Sequence, residues 1–473
     1  MDALSFYKLL GEKFSYQTTP VQDRVLKRLA DFVFSENSDG LFLLKGFAGT
    51  GKTTIISVLV NNLWRVTKSA VLLAPTGRAA KVIAGYSGKE AHTIHKKIYF
   101  PRKEKNGNIR FVLAPNKHRD TVFIVDEASM ISDRSTDSKL FDNGSLLSDL
   151  IQYVYSGFRC RLLFAGDVAQ LPPVHLDISP ALDKEHLFLH YQRQVTEIEL
   201  DEVVRQEENS GILANATALR EQMDHEMFSG FRFHVNGYRD IIRLRDGYEI
   251  QDAINDAYAS NGLEESTIIV RSNKRANLYN KQIRDKILYH DHQLNTGDQL
   301  MVIKNNYFWL KTTSEAGFIA NGDNIEVLEI YNISPLYGFT FAEVKVKMVD
   351  YPSQKPFETV LLLDTLHSET AALSYEDSNR LYEAVMKDYE TETSKYKKFL
   401  KVKHNKYFNA LHVKFSYAIT CHKSQGGQWG TVFVEQPYLP GGMDKEFMRW
   451  LYTAITRAQH TLYLIGFKDH FFE

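Results

Sequence analysis

The sequence predicts an α/β protein with two parallel-sheet domains and two β-rich insertions. Three observations carry this prediction. From residue 41 to about 190, short apolar runs alternate with helical stretches. The alternation returns at Thr267–Val270, Thr431–Val434 and Leu462–Ile465. Residues 96–119 and about 290–412 break the rhythm. Buried parallel strands read as short, continuous aliphatic or β-branched runs, and the helices between them supply the right-handed crossovers.

Taken in order, Thr18-Thr19-Pro20-Val21-Gln22 opens a helix, with Thr and Pro at favourable N-terminal positions. Gln22 has the paired donor and acceptor that could read an adenine edge; the alternative is a solvated glutamine of the first turn. The apolar run Leu41–Leu44 leads into Gly46-Phe-Ala-Gly-Thr-Gly-Lys52-Thr53, which fits G-x-x-x-x-G-K-[ST] and is followed by a helical run. In such a loop the glycines Gly46, Gly49 and Gly51 let backbone N–H groups turn toward phosphates, and the helix N-terminus adds its dipole. Lys52 would reach the β- and γ-phosphates of ATP, Thr53 would hold Mg²⁺, and Thr50 and Thr54 complete the phosphate-binding set.

The runs Ala70–Ala74, Thr121–Val125 and Arg161–Ala165 continue the first sheet. Thr121–Val125 ends at Asp126-Glu127. An acid at a strand end can hold Mg²⁺, and an adjacent Glu can orient and deprotonate the attacking water. Arg161–Ala165 ends at Gly166-Asp167, followed by Gln170 and Leu171-Pro-Pro-Val174. Gln170 could sense the γ-phosphate or be an ordinary polar loop residue. Residues 96–119 carry Asn106-Gly107 between two runs rich in aromatic and aliphatic residues, which reads as an inserted β-hairpin. Between about 290 and 412, the runs Asn324–Tyr331, Phe339–Met348 and Thr359–Leu363 suit a small barrel, and about 374–401 is charged and helical in pattern. Arg457 ends a mostly apolar helical run, and Arg205 sits similarly. Either suits an arginine finger reaching ATP from a second domain; the alternative is a surface ion pair.

Bulk properties narrow the class. The chain has 473 residues, 44% hydrophobic and 24% charged, enough for about three domains. No run approaches the ~18 apolar residues of a membrane span. The opening MDALSFYKLLGEKF lacks the pattern of a secretory signal. Two distant cysteines, Cys160 and Cys421, suggest no disulfide framework, so a reducing cytoplasm is expected. The net charge of −1 argues against an indiscriminate nucleic-acid binder. Yet Lys96–Arg119 holds eight Lys or Arg against one acid, and Lys395–Lys406 holds six lysines and no acid. Each stretch is either a local phosphate-binding surface or a solvated loop.

Together the motifs TTPVQ, GFAGTGKTT, LLAPTGRAAK, AHTIH, IVDEASM, AGDVAQLPPV, VVRQ, YAITCHKSQG and LYTAITRA resemble those of the superfamily 1B DNA helicases, the RecD-like and Dda-like group, in the same order from residue 18 to 458. The resemblance implies two RecA-like motor domains, 1A (1–95 and 120–190) and 2A (191–290 and 412–473). It also implies a hairpin pin (96–119) and an SH3-like barrel with a charged helical extension (291–411). It assigns adenine to Gln22, the γ-phosphate to Gln170, Arg205 and Arg457, and the DNA path to Pro75, Thr76, Thr93, His95, Thr420, His422, Lys423 and Ser424. Gln425 and Gly426 would couple the two sites. Tyr99, Phe100 and Phe111 become candidates for stacking on a base, the alternative being cross-strand packing. A phage member of the group has a His where Gly77 stands, so any contact by that side chain is absent here. The implied activity is ATP-driven 5′-to-3′ movement on single-stranded DNA with strand separation. An ATP-gated single-stranded DNA clamp and a small-molecule phosphotransferase are the rivals. The implied partners are single-stranded DNA and single/double-strand junctions, with no membrane and a monomeric state; no residue points to a particular replication or repair protein.

Overall fold

The structure is a computed structural model and describes residues 1–103, 109–133, 145–202, 210–311, 314, 316–370 and 373–473. Arg205 and the Asn106-Gly107 turn lie outside the described residues.

The first sheet has six strands in the order Ala91–Thr93, Ser69–Ala74, Thr121–Val125, Arg161–Gly166, Gly40–Gly46 and Gln194–Leu200. All its pairs are parallel. Its central strands are buried throughout because helices cover both faces, which is why they read as unbroken apolar runs. The edge strand Gln194–Leu200 pairs with Gly40–Gly46, so the first sheet extends past the boundary expected at 190. Its sequence, QVTEIEL, alternates and presents Glu197 to Lys45 at 2.7 Å. An edge strand with one wetted side lacks the apolar run that marked its neighbours.

The second sheet is also parallel, in the order Ala418–Thr420, Ser266–Val270, Trp429–Glu435, Ala458–Ile465 and Ile241–Leu244. Between its parts lies a closed five-stranded barrel of Gln299–Val302, Asn324–Leu336, Phe339–Met348, Phe357–Leu362 and Leu411–Phe415. The barrel's last strand runs beyond the end expected at 411. Helices Tyr375–Lys387 and Lys395–Lys403 follow the expected charged stretch. They bury Leu381, Val385 and Val402 in one cluster with Phe339, Phe341, Val360 and Leu362 of the barrel. Part of the lysine run is internally paired: Lys401 meets Glu392 at 3.1 Å and Lys406 meets Glu343 at 2.8 Å.

One buried carboxylate fixes the barrel to the second sheet. Asp298, fully buried, lies where the chain enters the barrel. It accepts from Arg284 Nε and Nη2, both at 3.0 Å, and from Asn295 N at 2.8 Å. It also accepts from Tyr417 Oη at 2.9 Å, just after the chain leaves the barrel. His290 Nδ1 lies 3.0 Å away. Entry and exit strands are thus tied to helix Asn273–Lys286. Removing one partner of a buried ion pair typically costs about 3–5 kcal/mol, because the other charge is stranded. Asp298→Ala is therefore expected to lower the first thermal unfolding transition by a loss of that order, whereas truncating the exposed partner in the Lys345–Glu329 surface pair is expected to move it by about 0.5 kcal/mol or less. Scanning calorimetry of both variants checks this.

Candidate functional site

The strand Gly40–Gly46 and helix Lys52–Asn62 hold the predicted phosphate loop between them. Gly49 and Gly51 adopt positive φ, 74° and 86°, a region open to glycine without strain. Gly51 caps the helix with no side-chain hydrogen bond, so the first-turn N–H groups stay available to an anion. A Cβ on Gly46 would stand 2.9 Å from Leu200 Cβ and Lys52 Cγ. Lys52 Nζ donates to the carbonyls of Gly46 and Phe47, which holds the ammonium over the loop. Thr53 and Thr54 are half-buried in the first helical turn. Thr50 is fully buried, and its hydroxyl donates to Phe47 O at 2.9 Å, so it shapes the loop from inside. Gln22 is also buried and is brought to the loop. Its Oε1 accepts from Thr19 N at 3.1 Å, and its Nε2 donates to Thr50 O at 3.0 Å. That tether was not legible in the sequence, which could show the Thr19–Gln22 capping spacing but not its reach to the loop.

Asp126 and Glu127 follow strand Thr121–Val125. Burial, with the Glu127 carboxylate beside it, pushes the Asp126 carboxyl up to about 6. Glu127 has φ 54°, an uncommon conformation for a residue with a side chain. Its Oε1 lies 3.7 Å from Arg457 Nη1, which comes from the second sheet's side of the cleft. Arg457 is 2% exposed and is oriented by the carbonyls of Thr453 at 3.1 Å and Gly427 at 3.3 Å. Gln170 is buried too, and its Oε1 has no hydrogen-bond partner among the described residues.

Of the residues that bring these groups together, the sequence singled out Gln425 but not Tyr452 or Thr453. Tyr452, on helix Lys445–Ile455, accepts from Ala48 N at 2.9 Å and donates to Asp167 Oδ2 at 2.7 Å. Next to it, Thr453 Oγ1 accepts from Leu171 N at 2.8 Å. Gln425 Nε2 donates to Leu171 O at 2.6 Å. A tyrosine in an apolar helical stretch reads as core, so only the pairing of the two sheets reveals what its hydroxyl does.

Comparison with known proteins agrees with this two-sheet site. Residues 19–234 match the AAA domain family, and residues 415–465 match the UvrD-like helicase C-terminal domain. The chain is 26% identical over 456 residues to the ATP-dependent DNA helicase dda of Enterobacteria phage T4, covering 89% of this chain and 93% of that one. It is 32% identical over 135 residues to the ATP-dependent RecD2 DNA helicase of Deinococcus radiodurans, covering 28% of this chain and 16% of that one. These matches agree with the resemblance of the chain to the superfamily 1B helicases. A solved Pif1 helicase from Bacteroides, in complex with ADP-AlF3 and ssDNA, has a TM-score of 0.41 at 15% identity, covering 96% of this chain and 94% of that one.

The expected DNA-path residues sort by exposure. Pro75, Thr76, His95 and Thr420 are partly buried, and His422 and Lys423 are exposed. Burial holds His95 down, to about 4, so at neutral pH it offers an uncharged imidazole. Thr76 caps helix Gly77–Ser87 through Ala79 N at 3.2 Å. Across the cleft, Gly426 packs so closely that a Cβ there would stand 2.8 Å from Ala79 Cβ. Thr93 and Ser424 are buried and structurally engaged. Thr93 Oγ1 accepts from Lys96 N at 3.3 Å, and Ser424 Oγ donates to Cys421 O at 2.8 Å. Lys423 Nζ donates to Asn321 Oδ1 of the barrel at 2.6 Å. Gly77 is tight for a different reason: a Cβ there would meet Tyr351 Oη at 2.6 Å and Asp323 Oδ1 at 2.8 Å, both from the barrel. A side chain at this position would push the barrel away.

The hairpin strands Tyr99–Lys103 and Ile109–Leu113 pair antiparallel. Two of its three aromatics are occupied with protein. Tyr99 is buried, and its hydroxyl donates to Asp149 Oδ2 at 2.6 Å. Phe111 is 6% exposed, with its ring 4.5 Å from that of Tyr307 and 6.3 Å from that of Phe318. Phe100 is 42% exposed. The expectation that all three could stack on a base therefore narrows to Phe100. Losing a buried hydrogen bond typically costs about 1–3 kcal/mol, and a surface substitution about 0.5 kcal/mol or less. Tyr99→Phe is accordingly expected to lower the denaturation midpoint in urea, and Phe100→Ala to leave it in place.

Proposed function

We propose that the chain is an ATP-dependent DNA helicase that moves 5′-to-3′ on single-stranded DNA and parts a duplex at the hairpin. The observation that carries this reading is Arg457. It reaches from the second sheet to Glu127 on the first, so the nucleotide site is complete only when both sheets are in place. Hydrolysis in such a site depends on the relative position of the two domains, as a motor requires.

In this reading the loop Gly46–Thr53 binds the phosphates through its backbone and Lys52. Glu127 orients and deprotonates water, and Arg457 stabilises charge on the transferring phosphoryl group. Gln170, whose buried Oε1 has no hydrogen-bond partner among the described residues, would report the γ-phosphate or the attacking water. Arg205 takes a second cationic role by family resemblance. The hydroxyl of Thr53 and the carboxylate of Asp126 are hard oxygen donors suited to Mg²⁺, and a buried carboxylate with a raised pKa is one that a cation would stabilise in its charged form. The cation would supply charge neutralisation at the phosphates. Pro75, Thr76 and His95 on one domain, with Thr420, His422 and Lys423 on the other, give two grips on one strand that alternate as the cleft closes and opens. The 5′-to-3′ direction rests on the family resemblance alone.

Glu127→Gln is expected to keep ATP affinity while turnover falls by about 100-fold or more, the usual contribution of a positioned base; turnover within a few-fold of wild type in a steady-state assay would remove Glu127 from that role. Phe100→Ala is expected to reduce unwinding of a 5′-tailed duplex by about 5-fold or more, in line with ~1–3 kcal/mol of stacking per base. Its DNA-stimulated ATP hydrolysis should change less than twofold, and an equal fall in both activities would assign Phe100 to DNA binding in general. Comparing 5′-tailed with 3′-tailed duplexes tests the polarity, and DNA-stimulated hydrolysis without strand separation would favour an ATP-gated clamp.

A further inference from the structure

The phosphate-loop pattern leaves positions 47 and 48 unspecified, and both face the other domain. Phe47 is 7% exposed and belongs to the apolar cluster built around Ile212, Leu219, Leu451 and Ile455 of the second domain. The guanidinium carbon of Arg220, on helix Gly211–Asp224, lies 4.5 Å from the centre of the Phe47 ring. A cation in that position is attracted by the ring face as well as by contact. Arg220 Nη1 is itself held by Asp201 O at 3.0 Å. The next residue, Ala48, donates its N–H to Tyr452 Oη at 2.9 Å. Five residues on from Tyr452 stands Arg457, facing Glu127.

We propose that Phe47 and Ala48 clamp the nucleotide loop to the second domain, and that Arg220 and Tyr452 are positioning residues through which ATP and DNA occupancy communicate. This rests on the translocase reading above. The path is physical and short. A shift of the loop around phosphates displaces the Phe47 ring and the Ala48 amide. Those displace helices Gly211–Asp224 and Lys445–Ile455, the second of which leads to Arg457. Neither Arg220 nor Tyr452 touches the reacting groups, so the loss of either should weaken communication rather than chemistry. Coupling between two ligands is reciprocal and typically amounts to a factor of 5–150.

The test uses the full chain and measures the affinity of a fluorescent ATP analogue with and without an oligothymidine strand, for wild type, Arg220→Ala and Tyr452→Phe. In wild type the strand is expected to change the affinity by about 5-fold or more. In each variant that ratio is expected to fall at least about threefold toward one, and Arg220→Ala should alter the DNA-free affinity less than twofold. Arg220→Lys, which keeps a cation beside the ring, is expected to restore part of the ratio; a purely structural defect would not respond in this way. An undiminished ratio in both variants overturns the clamp. If Tyr452→Phe does not fold, the ratio in Arg220→Ala decides. If DNA changes neither nucleotide affinity nor turnover in wild type, the translocase reading falls, and the clamp with it.

Discussion

A tyrosine hydroxyl buried at the junction of two sheets cannot stay unpaired without a penalty of order 1–3 kcal/mol. Tyr452 belongs to the second domain, and both its partners, the Ala48 amide and the Asp167 carboxylate, belong to the first. Satisfying that hydroxyl therefore requires the two domains to meet in one register. Once they do, Thr453 meets Leu171, Gln425 meets the same residue's carbonyl, and Arg457 arrives opposite Glu127. The nucleotide cleft is a consequence of this polar seam. Apolar contact alone tolerates sliding, whereas hydrogen bonds to buried groups fix position.

The barrel is joined to the two domains in unlike ways. Toward the second sheet it is fastened by Asp298, whose carboxylate gathers Arg284, Asn295 and Tyr417 around the chain's entry and exit. Toward the first sheet the contacts are close but built differently. Gly77 admits Tyr351 and Asp323, Lys81 Nζ donates to Val349 O at 3.2 Å, and Phe111 of the hairpin packs on Tyr307 and Phe318. Asp323 is buried, and its Oδ1 finds no hydrogen bond among the described residues; burial holds its carboxyl well above the usual range. Its Oδ2 accepts from Ala320 N at 2.7 Å, so among the described residues this carboxyl holds its own loop and, unlike Asp298, ties no second element to it. The barrel is therefore tied to the second sheet by charge and hydrogen bonds, and to the first sheet and hairpin mainly by packing.

Much of this was legible in the sequence, and the misses share a physical cause. Central strands such as Thr121–Val125 announce themselves because both faces are buried. The phosphate loop is legible because its glycines are required by backbone geometry. Gln194–Leu200 was missed because an edge strand is wet on one side, and Tyr452 because an apolar helix hides the partner of a polar group. The motifs of Thr50, Thr93 and Ser424 mark them as ligand-binding candidates, and the structure adds that their hydroxyls hold the loop or helix that carries them. A motif marks which segment lies at a site; it does not tell a side chain that contacts a ligand from one that holds the segment in shape.

The hairpin shows how small that difference is. A two-residue turn at Asn106-Gly107 would pair Phe100 with Leu113 and Arg102 with Phe111, putting Phe100 and Phe111 on one face. The observed register pairs Phe100 with Val112 and Tyr99 with Leu113. That is one residue away, and a slip of one residue exchanges the faces of a strand. Phe111 therefore shares its face with Tyr99 and turns inward, while Phe100 turns out. All three aromatics looked equivalent in sequence because register follows from loop length, and the Asn-Gly signal alone does not set that length. The buried pair anchors the hairpin, Tyr99 to Asp149 and Phe111 to the barrel. If Phe100 stacks on a base as proposed, a strand anchored in this way would lose less freedom on binding than a mobile loop would.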